Sequence, residues 1–285
     1  MVIPLKYGQF RPNAITPSMN LDYLDYMTTT FANGFAGRSP LIDGFMWQVC
    51  FTYILSTVPL TALLMFLWDK HASDERRIRL LAGTVAIGSS GLVCRILQII
   101  LPMIGLGRTR PLYDPNLIGI IHWPIGLLPH ALEGRSSWPS DSAAWLFGLA
   151  LLIWLHGGKR LGVPALLLAA LSSAIRIPMG IHFLSDILCG AAIGTLTVLA
   201  SQRLPIPRVA LNLPKLQRKW PVAFCLAMFV GIYSLATFGA DVRALASMVP
   251  HHSLDPGTGA LSRQSEKKAE DLGYPVSSQS HHAYP

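Results

Sequence analysis

The stretch RIPMGIHFLSD, residues 176–186, places a cation, an imidazole and a carboxylate close together in an otherwise apolar chain: Arg176, His182 and Asp186. Charged groups are costly inside a bundle of membrane helices, so a cluster of them usually marks a functional site. Pro178 and Gly180 interrupt any continuous helix. The pattern therefore predicts that Arg176 ends one helix and that His182 opens the next.

His182 and Asp186 are four residues apart, which puts them on one face of the predicted helix. There the carboxylate can accept the second imidazole N–H and leave the other nitrogen free to attack. A helix-capping ion pair beside a buried structural histidine fits this stretch equally well when it is taken alone.

The composition extends this interpretation to the whole fold. Of the 285 residues, 51% are hydrophobic and 13% are charged, about half the charge of an average soluble domain. A hydrocarbon core of about 30 Å requires about 20 apolar residues per helix. Six stretches predict an all-α, polytopic membrane protein with a six-transmembrane-helix bundle: Phe45–Trp68, Leu80–Ile104, Asp141–Leu155, Leu161–Ile177, His182–Gln202 and Pro221–Ala240.

Composition also divides the chain into three parts. Residues 1–44 lack the compact apolar run of a cleaved signal, and residues such as Tyr23 and Phe31 favour an N-terminal interfacial segment before an uncleaved anchor helix. Residues 45–240 form the predicted six-helix membrane domain. Residues 241–285 are rich in Ser, His, Gly, Pro and charge, which is typical of a disordered tail.

The placement of lysine and arginine predicts the orientation. Eleven of these cations fall in the loops after the first, third and fifth predicted helices, which lie on one side of the membrane. That side is expected to be cytoplasmic, so the turn between Arg176 and His182 faces the periplasm from a cell inner membrane. The net charge of +8 follows mostly from this bias and requires no nucleic-acid partner.

The cysteines and the tail histidines predict no metal site. The four cysteines fall within predicted helices without disulfide or zinc spacing, so free buried thiols are expected: Cys50, Cys94, Cys189 and Cys225. The paired histidines of the tail also lack metal-ligand spacing in a folded frame. No cofactor is predicted either.

Two further segments lie on the same outward side as the Arg176–His182 turn. GRTRP, residues 107–111, is a cationic loop, and WPSDSA, residues 138–143, opens a helix that Ser140 or Asp141 can cap. The free N–H groups and the positive dipole end of that helix suit an oxyanion. Arginines, a helix N-terminus and a histidine–aspartate pair thus converge, as phosphoryl transfer through a phosphohistidine requires.

These segments resemble the three signature motifs of the type 2 phosphatidic acid phosphatase superfamily, and the resemblance covers about Leu80 to Gln202. The family motifs run lysine, six residues, arginine-proline; then proline-serine-glycine-histidine; then serine-arginine, five residues, histidine, three residues, aspartate. The third motif matches, except that Ile175 stands where serine is usual. The second is similar to the form found in bacterial polyprenyl diphosphate phosphatases.

The resemblance implies a lipid phosphatase in which arginines supply the charge that a metal ion would otherwise supply. It implies that His182 attacks phosphorus and that Asp186 orients it. The residues that it places around the phosphate are Arg110, Arg176, Ser140 and the backbone of Asp141. The implied partner is a membrane lipid that bears phosphate.

The first motif departs from the family pattern. Met103 stands seven residues before the motif arginine, where the family has its phosphate-binding lysine. Arg95 lies deeper in the same predicted helix and must face the bundle interior. It is predicted to bind phosphate or to pair with Asp186 or Glu133, and a short insertion around residues 104–107 accounts for the altered spacing.

The second motif departs at Ser142, which occupies the position of the family's second histidine, the acid that protonates the leaving group. Serine has no useful pKa for that role. Three outcomes stay open. His130, Glu133 or Asp141 supplies the proton, or the leaving group needs little help, or the protein is catalytically weak or inactive.

Leaving-group chemistry favours a diphosphate substrate. A lipid monophosphate expels an alkoxide, whereas a lipid diphosphate expels a phosphate monoester with a second pKa of about 6. The sequence therefore predicts a polyprenyl diphosphate, such as undecaprenyl diphosphate. A lipid-linked phosphotransferase and an inactive relative that binds polyprenyl phosphates in envelope polysaccharide assembly are the alternatives.

Overall fold

The computed structural model describes residues 21–52, 54–70, 73–125, 127, 136–205 and 213–237. Within these residues the chain is helical and contains no strand, which confirms the all-α class. The α-helices of this part are α1 (Leu21–Asn33), α2 (Pro40–Trp47), α3 (Ile54–Lys70), α4 (Asp74–Met103), α5 (Asp141–Gly157), α6 (Lys159–Ala174), α7 (Leu184–Arg203), α8 (Leu213–Lys219) and α9 (Pro221–Thr237). A π-helical turn, Gln48–Thr52, follows α2, and a short 3-10 helix, Pro111–Tyr113, lies between α4 and α5.

The chain separates into two compact units, Met1–Gly239 and Ala240–Pro285. The second unit and residues 1–20 lie outside the described residues. The predicted disordered tail and the three-part division of the chain therefore stay predictions.

Helix α5 is the centre of the bundle. It packs against α4, α6 and α7 and also contacts α3. Its apolar residues cover all sides of the helix, and Trp145, Leu149 and Ile153 are buried, as expected for a helix enclosed by others. The enclosure fixes its N-terminus at Asp141, where the WPSDSA segment leads into the helix.

Helices α5 and α7 approach each other closely at two glycines. A methyl group on Gly190 would overlap the carbonyl oxygen of Ser140, and one on Gly194 would overlap the carbonyl oxygen of Ala144. Small residues allow this approach because no side chain separates the two backbones. The starts of α5 and α7 are therefore held together by direct backbone packing.

Two helices of the described chain, α4 and α7, are long and apolar enough to cross a membrane. Segments Pro40–Phe51 and Leu55–Asp69 would form a third span if the 43° bend between them lies within one crossing. Each of the six predicted stretches contains most of one helix, namely α3, α4, α5, α6, α7 and α9. The count of six spans stays a prediction.

Helix α1 turns its polar face toward the bundle. Asp25, Thr29 and Asn33 are buried, whereas Met27 and Phe31 on the other face are 47% and 79% exposed. This is the reverse of a helix on a water-soluble protein, and it fits a helix whose outer face meets an apolar environment.

Buried polar side chains also fasten the segment that contains α1 and α2. The side-chain amide of Asn33 donates to the carbonyl oxygens of His122 and Pro178, each at 2.9 Å. The carboxylate of Asp43 accepts the amide of Ile125 at 2.8 Å. The segment predicted to lie at the interface is thus part of the wall around the loops that contain His122, Ile125 and Pro178.

Candidate functional site

The predicted site residues lie where α5 and α7 begin. Ser140 is the N-cap of α5, as predicted, and its Oγ accepts the amide of Ala143 at 3.3 Å. The amide of Ser140 donates to the carbonyl oxygen of Asp186 in the first turn of α7 at 3.1 Å. Gln98 of α4 donates to the carbonyl oxygen of Pro139 at 2.7 Å. Three helices thus position the WPSDSA segment.

His182 lies in the turn before α7, which begins at Leu184, so the imidazole precedes the helix rather than opening it as predicted. Its side chain is buried, and Nδ1 is 2.8 Å from the carbonyl oxygen of Ser137. A carbonyl oxygen only accepts hydrogen bonds, so Nδ1 bears the proton and Nε2 keeps its lone pair. The structure therefore presents His182 with its Nε2 available as a nucleophile.

The ionisation of His182 favours the same role. Burial lowers the pKa of His182 below its usual range, the positive charge of Arg110 lowers it further, and the nearby Asp186 carboxylate opposes both effects. The neutral imidazole, which is the nucleophilic form, consequently persists to lower pH than in a solvent-exposed histidine.

Asp186 holds the start of α7. Its Oδ2 accepts the amide of Phe183 at 2.8 Å, and its Oδ1 accepts Nη1 of Arg108 at 3.0 Å. Oδ2 lies 3.8 Å from Nδ1 of His182, which is beyond hydrogen-bonding distance. The carbonyl oxygen of Ser137, rather than Asp186 as predicted, therefore accepts the hydrogen bond from the imidazole N–H. Asp186 acts on His182 through its charge.

Arg108 is the most extensively paired cation of the site. Its Nη2 lies 2.7 Å from Oδ2 of the buried Asp25 on α1, while its Nη1 contacts Asp186 and donates to Oγ of Ser185 at 2.6 Å. The guanidinium also lies 4.1 Å from the centroid of the Phe183 ring. Burial alone would lower the pKa of Arg108, but the hydrogen bonds and charges of Asp25 and Asp186 outweigh it and raise that pKa.

Asp25 connects α1 to the start of α7. Its Oδ1 accepts the amide of Ser185 at 2.9 Å, and its Oδ2 accepts the Ser185 hydroxyl. With the ion pair to Arg108, one carboxylate caps a helix and neutralises a cation. The site therefore includes a residue from α1.

Arg110 occupies the position that the first motif predicts. It is 3% exposed, and its Nη1 donates to the carbonyl oxygen of Ile181 at 2.9 Å while its Nη2 donates to that of Ser136 at 3.4 Å. These carbonyls belong to the two segments that flank His182. Arg110 thus holds the imidazole turn against the segment that leads into α5.

Arg176 follows α6, which ends at Ala174. Its guanidinium donates to the carbonyl oxygens of Ser172 at 2.5 Å and Cys50 at 3.3 Å. Its own carbonyl oxygen accepts the amide of Ile181 at 3.0 Å. The structure thus brings the backbone of Arg176 to the His182 turn and directs the guanidinium toward the π-helical turn, so its binding of phosphate stays a prediction.

The first amides of α5 already have acceptors. The amide of Ser142 donates to Oδ1 of Asp141 at 2.8 Å, and the amide of Ala143 donates to Oγ of Ser140. The hydroxyls of Ser140 and Ser142 are 3.2 Å apart. An oxyanion at this helix end would have to displace these side chains, whereas the helix dipole still favours a negative charge there.

The two departures from the first motif lie apart in the structure. Arg95 pairs with Asp141, with Nη1 3.4 Å from Oδ2, and donates to Gln98 at 3.2 Å. Its carboxylate partner among the described residues is thus Asp141 rather than Asp186. Met103 is 80% exposed at the end of α4. Glu133 and His130, two of the candidate acids, lie outside the described residues.

Sequence reasoning missed Asp25 and Ser137 and gave Arg108 no specific role. Arg108 is next to the first motif, in the GRTRP loop, and its charge was a usable signal. The signal for Asp25 was a polar stripe with Thr29 and Asn33 on a helix that is otherwise rich in apolar residues. Ser137 acts through its carbonyl oxygen, so its side-chain type gave no signal.

No group of three or more His, Cys, Asp or Glu side chains in the described part of the chain has the arrangement of a metal site. The charges that act on His182 come from Arg110, Asp186 and Asp141, and Arg108 with Asp25 continues the cluster beyond Asp186. A buried neutral imidazole beside fixed guanidinium groups can attack an electrophilic centre that bears negative oxygens, such as phosphorus.

A comparison with known protein families matches the part of the chain that contains His182. A model described as the PAP2 superfamily matches residues 79–208. This match confirms the resemblance predicted from the three motifs. Together with the two span-length helices, this identifies a membrane protein.

Curated relatives have names that refer to lipid A. The chain is 23% identical over 152 residues to "Lipid A 1-diphosphate synthase" of Escherichia coli (strain K12), covering 52% of this chain and 62% of the relative. It is 29% identical over 180 residues to "Lipid A 4'-phosphatase" of Bacteroides thetaiotaomicron, covering 61% of this chain and 73% of the relative. The chain thus spans less than two thirds of the first of these relatives.

A solved structure is also similar: the first transmembrane PAP2 type phosphatidylglycerolphosphate phosphatase from Bacillus subtilis. It is 20% identical, with a TM-score of 0.43, and the likeness covers 64% of this chain and 84% of that chain. A TM-score of this size does not bear on function.

Proposed function

We propose that this protein is an integral membrane phosphatase of lipid phosphates, with six membrane spans and a site that faces the periplasm. The observation that supports it most directly is the contact of 2.8 Å between Nδ1 of His182 and the carbonyl oxygen of Ser137. Because that contact retains the proton on Nδ1, Nε2 can attack phosphorus. The PAP2-superfamily match supports the reaction class.

The proposed reaction has two steps. In the first, Nε2 of His182 forms a bond to phosphorus and the bond from phosphorus to the leaving oxygen breaks. The resulting imidazolium-like charge faces Asp186, and Arg110 and Arg108 are the cations of the site for the phosphoryl oxygens. Arg176 would have to turn its guanidinium away from the carbonyl oxygen of Cys50 to join them. In the second step, a water oxygen forms a bond to phosphorus as the bond from Nε2 to phosphorus breaks. The phosphate departs with the hydroxyl of that water, the other water proton passes to solvent, and the neutral imidazole returns.

The substrate that we propose is a polyprenyl diphosphate. The Ser142 side chain lies 3.2 Å from Ser140, and a hydroxyl is not an acid near neutral pH. A diphosphate releases a phosphate monoester, whose second pKa is about 6, so that departure needs little protonation. Asp141, held by Arg95, is the described candidate for any remaining acid role.

A second candidate is a phosphotransferase in which a lipid-borne phosphate or hydroxyl replaces water in the second step. The observation that favours it is the likeness to a relative named "Lipid A 1-diphosphate synthase", since such a name denotes formation of a diphosphate. The two candidates share the first step and differ only in the acceptor.

The purified full chain tests the proposal with a polyprenyl diphosphate, a polyprenyl monophosphate, lipid A and phosphatidate, each with and without the others as acceptor. We expect phosphate release from the diphosphate at least about tenfold above that from phosphatidate. His182→Asn should abolish it, whereas His156→Asn, at the far end of α5, should not. A denaturing quench at alkaline pH should recover label from the substrate on His182, and later treatment with acid should release it.

Other results of this experiment would contradict the proposal. Label transferred to lipid A without free phosphate would establish the phosphotransferase. Phosphatidate as the preferred substrate would refute the diphosphate assignment. Turnover that persists in His182→Asn would refute the nucleophile, and no turnover in any arm would favour a non-catalytic lipid-binding relative.

Ser142→His tests the leaving-group argument separately. A histidine at this position restores an acid beside Ser140, so hydrolysis of a polyprenyl monophosphate should rise by about tenfold or more while that of the diphosphate changes little. Ser142→Ala is the matched control and should leave both rates close to the parent's. An equal rise for both substrates would contradict the argument.

A further inference from the structure

A basic cavity lies at the end of the bundle opposite to His182. It has a volume of about 440 Å³ and is lined by Ser73, Glu75, Arg76, Arg79, Leu155 and His156. Helix α5 connects the two ends, from Asp141 beside the site to Gly157 beside the cavity, over 17 residues or about 25 Å at 1.5 Å per residue. We name it the basal cavity.

Hydrogen bonds between three helices hold the basal cavity in shape. Arg79 of α4 donates from Nη1 to the carbonyl oxygen of Gln202 on α7 at 2.6 Å, and Gln202 donates back from Nε2 to the carbonyl oxygen of Arg79 at 3.1 Å. Nε2 of His156 on α5 lies 3.1 Å from Oε1 of Gln202. These contacts fix two of the basic lining residues before any ligand binds.

The charged side chains of the basal cavity differ in whether they form ion pairs. Glu75 pairs with Arg79 at 3.1 Å. Arg76 is exposed, and no hydrogen bond or ion pair from its guanidinium is found within the described part of the chain. Arg76 and Arg79 are three residues apart on α4, a spacing that places their like charges side by side at some cost. An anion between them would remove that cost.

We propose that the basal cavity binds a phosphate group, either from the headgroup of an anionic membrane lipid or as free inorganic phosphate. Planar guanidinium groups match phosphate oxygens in pairs, and basic pockets between membrane helices accept lipid headgroups. Arg76 and Arg79 donate to the phosphate oxygens, and His156 adjoins them. The proposal does not depend on turnover at His182.

Thermal unfolding of the purified full chain in detergent tests the proposal with three probes: inorganic phosphate, a short-chain phosphatidylglycerol and the matching phosphatidylcholine. We expect phosphate or phosphatidylglycerol to raise the unfolding temperature of the parent. Arg76→Gln should weaken the apparent affinity by about tenfold, the usual result of losing one charge-assisted contact. Arg160→Gln, which removes an exposed cation of α6 outside the cavity, should retain the parent's response.

The probes separate the two sources. A response to inorganic phosphate that Arg76→Gln weakens establishes free phosphate as a ligand, and a response to phosphatidylglycerol alone establishes the lipid headgroup. Phosphate bound near His182 would raise the unfolding temperature of the parent and of both variants by the same amount. The test therefore compares the responses of Arg76→Gln and Arg160→Gln. Equal responses of these two variants, or no response to any probe in the parent, would overturn the proposal.

Discussion

The two sides of the candidate site are held in different ways. On the nucleophile side, backbone meets backbone: Ser140 donates to the carbonyl oxygen of Asp186, and Gly190 lets α7 approach the carbonyl of Ser140. On the arginine side, side chains from distant parts of the chain meet, with Arg108 between Asp25 and Asp186. Close packing fixes the first side, and charge compensation fixes the second.

This difference predicts how each side fails. A packed backbone contact tolerates no added volume but is indifferent to charge, whereas a buried ionic cluster tolerates changes of shape and fails when one charge is removed. The following variants test each side against a matched control.

The largest effect is expected for Arg108→Gln. Without the guanidinium, the buried carboxylates Asp25 and Asp186 lose their shared cation, which should cost about 3–5 kcal/mol of stability. Arg38→Gln, which changes an exposed arginine between α1 and α2, should change stability by less than about 0.5 kcal/mol. Unfolding in detergent measures both.

A double variant sharpens the test of the ionic side. Asp25→Asn added to Arg108→Gln should recover part of the lost stability, because one uncompensated charge is removed. If the two losses simply add, the cluster is not a coupled unit and the interpretation of the arginine side is wrong.

Gly190→Ala is expected to have the next largest effect. The new methyl group would overlap the carbonyl oxygen of Ser140, so the starts of α5 and α7 must separate at a cost of about 3 kcal/mol. Gly44→Ala in α2, where a methyl group would meet no atom within 4 Å, should be neutral or slightly stabilising. A stable, active Gly190→Ala would show that the contact is not tight.

Asp25→Asn alone should have a smaller effect, about 1–2 kcal/mol, because Arg108 keeps Asp186 and the asparagine can still accept from Ser185. Phosphate release should fall severalfold, since Arg108 loses one of its two anchors. Asp22→Asn on the same helix is the control, because Asp22 is exposed and lies 3.6 Å from Arg108. Equal effects of Asp25→Asn and Asp22→Asn would show that Asp25 is not part of the site.

The smallest expected effect is a shift in pH dependence. Because burial and the charge of Arg110 lower the pKa of His182, the neutral nucleophile is lost only as the pH falls below the usual value of about 6.5. The acid limb of kcat/KM should therefore have its midpoint below that value. Arg110→Gln removes one lowering influence and should move the midpoint upward, whereas Arg38→Gln should not. A midpoint of the acid limb at or above about 6.5 in the parent would contradict the assignment of His182 as the nucleophile that titrates there.

The proximity of the residues on the nucleophile side could be predicted from the sequence, because they are close together in short motifs. His182 and Asp186 are four residues apart, and the Ser140 cap adjoins its helix. The arginine side was not predictable in the same way. Asp25 meets Arg108 across 83 residues, and no local pattern predicts such a pair.

Two further details were also outside the reach of sequence patterns. The carbonyl oxygen of Ser137 accepts the hydrogen bond from the imidazole N–H. Because this oxygen belongs to the backbone, the residue type at position 137 does not indicate the contact. The guanidinium of Arg176 lies against the carbonyl of Cys50, a contact across 126 residues that depends on where the π-helical turn packs. Motifs identify residues that are close along the chain, but they do not predict which oxygen atom accepts the hydrogen bond of each side chain.

The inward polar face of α1 has a consequence for the order in which the protein is made. Asp25 precedes its partner Ser185 by 160 residues, so α1 emerges from the ribosome long before the start of α7 exists. Until then the Asp25 carboxylate lacks its Ser185 partner, so this contact of α1 can form only after the start of α7 has been synthesised. The packing of α1 against α7 is therefore completed late, and a nascent chain that stops before α7 leaves α1 without that contact.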